Sequence, residues 1–258
     1  MEQVFPLWTE IPGSQTETPV ITHYPPSQKT SDGAVVIFPG GGYAMRAPHE
    51  GEGYARQLNA FGITAFVVDY RVTPAHFPDP LSDARRAVRF VRHYAEKFGI
   101  DKNKIAVMGS SAGGHLSALL CTYDKDVLGD GIDEIGREEY LPNAQILCYP
   151  VISNDEDITN AWSYTNLLGE NRDFWKEYSP EKLVCEKTPQ AFIWHTAEDP
   201  GVSVINSYYY ATALRKANVP CELHVFPYGG HGMGLASQVP HVAQWSELLH
   251  SWLQLIGY

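Results

Sequence analysis

Residues 105–116 read IAVMGSSAGGHL, and this stretch decides the fold. Ile105–Met108 is a short apolar run that reads as a buried strand, and Ala112–Cys121 reads as a helix. Between them lies Gly109-Ser110-Ser111-Ala112-Gly113, a G-x-S-x-G. In a chain with 22 glycines that pattern alone is weak. Its place after a strand and at the mouth of a helix is the setting of a nucleophile elbow. Such a turn closes only if the positions two before and two after the serine lack side chains. Gly113 and Gly114 in the first helical turn each cost about 1 kcal/mol relative to alanine, which calls for a packing or functional reason. The competing reading is a glycine-rich turn that binds phosphate or nothing; the strand–turn–helix context argues against it.

Working outward, Ala34–Phe38 (AVVIF) and Ile63–Tyr70 (ITAFVVDY) are unbroken apolar strands, as expected in a sheet covered on both faces. Gly51–Phe61 reads as the helix between them. The next helix has Asp79 as its N-cap, Pro80 at its first position and Gly99 at its end, with Leu81, Ala84, Val88 and Val91 at helical spacing. Ile146–Pro150, Ala191–Trp194 and Cys221–Phe226 are further strands. Val204–Ala217, closed by Asn218, and Val239–Leu255, with Pro240 near its start, are further helices. Alternation with connections of this length implies right-handed crossovers and a mostly parallel central sheet with helices on both faces, an α/β fold read as one domain over 1–258. Residues 151–189 break the alternation. They read as a cap-like insertion with short helices at the carboxyl edge of the sheet, where long loops carry function.

A serine hydroxyl needs a base. Of ten histidines, His231 lies in Tyr228-Gly229-Gly230-His231-Gly232, a loop just after the last strand and on the same rim as Ser111. The histidine needs an acid to fix its tautomer. Asp199 follows the strand ending in Trp194-His195 and is favoured over its neighbour Glu198 because aspartate is the usual acid and its shorter reach suits a loop close to the histidine. The chain order serine, acid, histidine is that of an elbow-type hydrolase. The oxyanion then needs two backbone donors. Ala112, next after the serine, supplies one; Gly41 or Gly42 of Pro39-Gly40-Gly41-Gly42-Tyr43 supplies the other. A phosphate loop is disfavoured there, because the glycines lack the lysine or the spacing of nucleotide-binding motifs.

Taken in order, Pro39-Gly40-Gly41-Gly42-Tyr43, His49-Glu50-Gly51, Asp69-Tyr70-Arg71, Gly109-Ser110-Ser111-Ala112-Gly113-Gly114-His115 and Gly229-Gly230-His231-Gly232 resemble the α/β-hydrolase superfamily. More narrowly they resemble its bacterial acetyl-esterase and acetyl-xylan-esterase-like branch. The likeness covers roughly residues 20–257 and departs from the lipase-type His-Gly-Gly-Gly at Pro39. It implies carboxylic-ester hydrolysis through an acyl-enzyme, with no metal or other cofactor.

Composition agrees. A net charge of −11 offers no basic footprint for nucleic acid. No window reaches the roughly 20 apolar residues of a membrane span. The N-terminus lacks the pattern of a signal peptide, and Cys121, Cys148, Cys185 and Cys221 lack metal-ligand spacing, so a reducing, cytoplasmic setting is expected. Ser111 sets aside superfamily relatives whose elbow carries aspartate or cysteine. The polar insertion argues against a lipase lid and for short acyl groups. Tyr43 and the insertion's Trp162 and Trp175 are candidate substrate contacts; the two tryptophans stack on a sugar or form the insertion's own core, and the sequence leaves both open. The partner expected is a small ester substrate. Two alternatives remain: an arylformamidase or small amide or peptide hydrolase on the same scaffold, and, from a different class, a non-catalytic small-molecule binding module.

Overall fold

The computed structural model describes residues 1–258. All eight strands join one sheet in the order β1-β2-β4-β3-β5-β6-β7-β8. The elements, in chain order, are β1 (Gln3–Pro6), β2 (Val20–Tyr24), β3 (Ala34–Phe38), α1 (Pro48–Ala60), β4 (Thr64–Asp69), α2 (Asp79–His93), α3 (Ala95–Phe98), β5 (Ile105–Ser110), α4 (Ala112–Thr122) and β6 (Ala144–Cys148). They continue with α5 (Ala161–Leu168), α6 (Arg172–Trp175), α7 (Pro180–Leu183), β7 (Gln190–Thr196), α8 (Ile205–Lys216), β8 (Cys221–Phe226), α9 (Pro240–Ala243) and α10 (Trp245–Leu255). Strands β3 to β8 are mutually parallel, and β1 and β2 add an antiparallel edge.

The unbroken apolar strands are buried on both faces because successive side chains point to opposite sides. Val36, Phe38, Phe66 and Val107 meet α2 and α4 through Leu81, Val88, Leu116 and Leu119. Their neighbours Val35, Ile37, Val67 and Met108 meet α1 and α10 through Tyr54, Leu58, Trp245 and Leu249. The register aligns the strand ends: Phe38 pairs with Gly109, Ser110 with Cys148, and Cys148 with Trp194. The loops that begin at Pro39, Ser111, Tyr149 and Ala197 therefore open on one rim.

The structure departs from the sequence reading in three places. Strands β1 and β2 are additional; β1 is short and largely exposed, so it carries no apolar signature. The helix read from Asp79 to Gly99 breaks at Tyr94 into α2 and α3, with Gly99 left-handed at its end. Asp79 does not cap it: Pro78 holds that position, and the Asp79 carboxylate accepts from the Ser14 amide (3.0 Å) and pairs with Arg71 (3.4 Å). The last helix likewise divides at Gln244. No helix is long and apolar enough to cross a membrane.

Candidate active site

Ser111 sits at the junction of β5 and α4 with φ +52° and ψ −118°, a conformation that side chains rarely adopt. The surrounding glycines explain how it is held. A Cβ at Gly109 would run into the Gly113 carbonyl, and one at Gly113 into the Phe38 carbonyl of the neighbouring strand. The turn is pinned by the Ser111 amide on the Cys148 carbonyl (3.0 Å) and by the Val151 amide on the Ser111 carbonyl (3.1 Å).

His231 Nε2 lies 2.8 Å from Ser111 Oγ, and its Nδ1 lies 2.7 Å from Asp199 Oδ2. A carboxylate only accepts, so Nδ1 carries the hydrogen and Nε2 is free to accept from the serine hydroxyl. The ring packs edge-on to Tyr149, with centroids 5.2 Å apart. Asp199 is fully occupied: Oδ1 accepts from the amides of Gly201 (2.8 Å) and Val202 (2.9 Å), and Oδ2 also faces His195 Nε2 at 3.3 Å. Burial alone would raise the carboxyl, but the bonds from His195, His231 and the Val202 amide outweigh it and hold Asp199 well below the usual carboxylate range. Glu198 is exposed and makes no bond to His231.

The glycine loop lies against the serine; a Cβ at Gly40 would stand 3.2 Å from Ser111 Cβ. The Gly40 amide is taken by Glu50 Oε2 (2.8 Å). The amides of Gly41, Gly42 and Ala112 have no acceptor in the protein, which leaves both glycines as candidate donors. Gly41 and Gly42 have φ of +131° and +62°, so the loop's path needs them.

Two of the three candidate substrate contacts are corrected. Tyr43 is 1% exposed and its hydroxyl bonds His115 Nδ1 at 2.8 Å, so it is a packing residue. Trp175 is 2% exposed, donates to the Gly169 carbonyl (2.8 Å) and packs with Val151, Tyr164 and Val202; it is the insertion's own core. Trp162 is different. It is 57% exposed on α5, and its ring lies where a Cβ at Gly42 would be. One turn on, Asn166 Nδ2 donates to the Gly42 carbonyl (2.8 Å), so the insertion is clamped to the glycine loop. Asn166, Glu50, Tyr149 and His195 went unread in the sequence. Glu50 and His195 stand in quotable motifs, but nothing in a motif says which way a side chain is buried.

A mostly parallel sheet with its serine on a strained strand–helix turn defines an α/β-hydrolase. The chain belongs to the BD-FAE family, whose model matches residues 22–214. It is 41% identical over 210 residues to an endo-1,4-beta-xylanase B of Butyrivibrio fibrisolvens, covering 79% of this chain and 33% of that protein. It is 35% identical over 236 residues to an acetylxylan esterase of Xylanibacter ruminicola, covering 89% and 47%. The chain thus spans between a third and a half of these curated relatives. Among solved structures, the acetyl ester-xyloside bifunctional hydrolase of Caldicellulosiruptor lactoaceticus superposes with a TM-score of 0.93 at 42% identity, covering 99% of this chain and 96% of that one.

Proposed function

We propose that the chain is a serine esterase that removes short acyl groups, acetyl foremost, from acylated sugars, by way of an acyl-enzyme on Ser111. The observation that carries this reading is the unbroken relay from Ser111 Oγ through His231 to Asp199, with links of 2.8 and 2.7 Å. His231 Nε2 takes the serine proton as Oγ attacks the ester carbonyl, and the oxyanion forms beside the free amides of Ala112 and of Gly41 or Gly42. The proton on Nε2 then passes to the departing sugar oxygen. Water repeats the sequence on the acyl-enzyme, releasing the acid. Asp199 stays ionised throughout and stabilises the imidazolium.

The sugar assignment draws on two supports. Trp162 presents an exposed indole beside Gly42, a flat surface suited to a sugar ring. Relatives named as an acetylxylan esterase and an acetyl ester-xyloside bifunctional hydrolase are 35% and 42% identical to this chain. The four free cysteines suit a reducing, cytoplasmic setting. The test is a panel of p-nitrophenyl esters of increasing chain length, acetylated xylo-oligosaccharides, and formyl-amide and peptide substrates. Acetylated sugars and acetyl esters lead on this reading. Preference for octanoyl esters, or for amides, overturns it.

A further inference from the structure

Glu50, in the first turn of α1, is 2% exposed. No lysine or arginine pairs with it; its one basic neighbour is His49, whose Nε2 stands 3.9 Å from Oε1. A buried carboxylate without a cation is costly unless hydrogen bonds replace its water. Here they do, and both come from the rim that holds Ser111. Oε2 accepts from the Gly40 amide (2.8 Å), and Oε1 accepts from the Tyr149 hydroxyl (2.7 Å). The Tyr149 oxygen in turn accepts from the Gly234 amide (2.9 Å) and stands 3.1 Å from the Tyr54 hydroxyl, itself 2.8 Å from Ser110 Oγ. The Tyr149 ring backs His231, and His49 Nε2 lies 2.9 Å from the Gly232 carbonyl.

Gly40 leads directly into the amides of Gly41 and Gly42. Gly232 and Gly234 bracket the far side of the His231 loop. No strand pairing joins these two loops, and the side chain of Glu50 does. We propose that Glu50 is a positioning residue: through Gly40 and Tyr149 it holds the oxyanion loop and the His231 loop in register around Ser111. This rests on the esterase reading above, with Ser111 and His231 as the reacting groups. Glu50 touches neither of them, so its effect reaches the chemistry through where Gly41, Gly42 and His231 stand. Contacts to the oxyanion exist only in the transition state, so their misplacement lowers kcat rather than raising KM, and a displacement of about 1 Å costs up to about 10²-fold.

The experiment compares Glu50→Ala, Glu50→Gln and Tyr149→Phe with the parent on p-nitrophenyl acetate. Rates are expressed per site counted by complete fluorophosphonate labelling, so that unfolded protein is excluded. Glu50→Ala should lower kcat by about tenfold to 10²-fold with KM within about threefold. Glu50→Gln should recover to within about threefold of the parent, because its carbonyl accepts from Gly40 and its amide donates to the Tyr149 oxygen. Tyr149→Phe, which removes the hydroxyl linking Glu50 to the Gly234 amide, and its Tyr54 contact with it, but leaves the Gly40 bond in place, should fall between them. A Glu50→Ala kcat per site within twofold of the parent overturns the proposal, and so does a Glu50→Gln variant as slow as Glu50→Ala. Should Glu50→Ala fail to fold, Tyr149→Phe decides: an unchanged kcat per site overturns the proposal, and a fall at constant KM supports it. Ser111→Ala run alongside separates the two levels, since activity surviving there defeats the esterase reading, whereas its loss with unimpaired Glu50 variants defeats only this inference.

Discussion

One oxygen of Asp199 serves two histidines: Oδ2 stands 2.7 Å from His231 Nδ1 and 3.3 Å from His195 Nε2. His195 is held in turn by Ser207 Oγ at Nδ1 (2.8 Å) and by the Val202 carbonyl at Nε2 (2.9 Å). Nε2 faces only acceptors, so it carries a hydrogen. The carboxylate is thereby fixed in rotation as well as in place: the Gly201 and Val202 amides hold Oδ1 while the two imidazoles hold Oδ2. An acid anchored this way points its charge at His231 in the resting structure, which is the preorganisation that the proposed acyl transfer needs.

Asp199→Asn is expected to cost about 10⁴ in kcat, because an amide in place of the carboxylate favours the wrong tautomer of the base, as it does in serine proteases. Glu198→Gln is expected to be mild, since Glu198 is exposed and touches neither His231 nor Ser111. Steady-state kinetics on p-nitrophenyl acetate checks both. The reverse ranking would move the acid to Glu198.

Ser111→Ala removes the proposed nucleophile while leaving the strained turn to the glycines that permit it. Turnover is expected to fall on the order of 10⁶-fold by comparison with other serine triads, with the thermal midpoint little changed and fluorophosphonate labelling abolished. Esterase activity that persists in protein free of host enzymes would exclude Ser111 as the nucleophile.

The two tryptophans of the insertion now separate. Trp175→Ala opens a cavity beneath Tyr164 and Val202 and leaves the Gly169 carbonyl without its donor, so a loss of about 3–5 kcal/mol in stability is expected. Trp162→Ala removes an exposed ring and is expected to leave the thermal midpoint nearly unchanged. KM for acetylated xylo-oligosaccharides should rise while kcat for p-nitrophenyl acetate stays close to that of the parent. If Trp162→Ala leaves KM for the sugars unchanged, the indole is not a sugar platform.

The residues that were legible from sequence share a property: their chemistry requires a local pattern. Ser111 is announced by glycines that the turn demands, and His231 and Asp199 by loops that follow strands of a parallel sheet. The aromatic contacts were not legible, because burial is a tertiary fact. Tyr43 lies in the most telling glycine loop of the chain, yet its hydroxyl is spent on His115. Trp162 and Trp175 belong to one polar-looking segment, and only packing tells the surface ring from the core ring. Strand β1 was missed because an exposed edge strand ending in proline carries no apolar periodicity. Glu50 falls just before the helix read from Gly51 and has no local signature, because its hydrogen bond is to Tyr149, a residue 99 positions away.

Stability is expected to fall between about pH 6.5 and 4. Burial pushes His115 down to about 4, against the opposing bond to the Tyr178 carbonyl, and burial with nearby positive charges does the same to His23. An unfolded histidine titrates near 6.5, so in this interval the unfolded chain binds protons that the folded one refuses. By linkage, stability then rises with pH across the interval, is complete above it and is lost on descending through it. At about 1.36 kcal/mol per pH unit, His115 alone accounts for on the order of 3 kcal/mol. Asp199 is depressed too but acts at lower pH: its contribution is present above about pH 4, its unfolded value, and is lost only below that. Urea unfolding at pH 7.0, 5.5 and 4.5 measures the slope. His115→Gln, whose amide retains a donor and an acceptor for Tyr178 and Tyr43, should reduce the slope by up to one proton. A parent protein equally stable at pH 6.5 and 4.5 would show that neither histidine is held neutral in the fold.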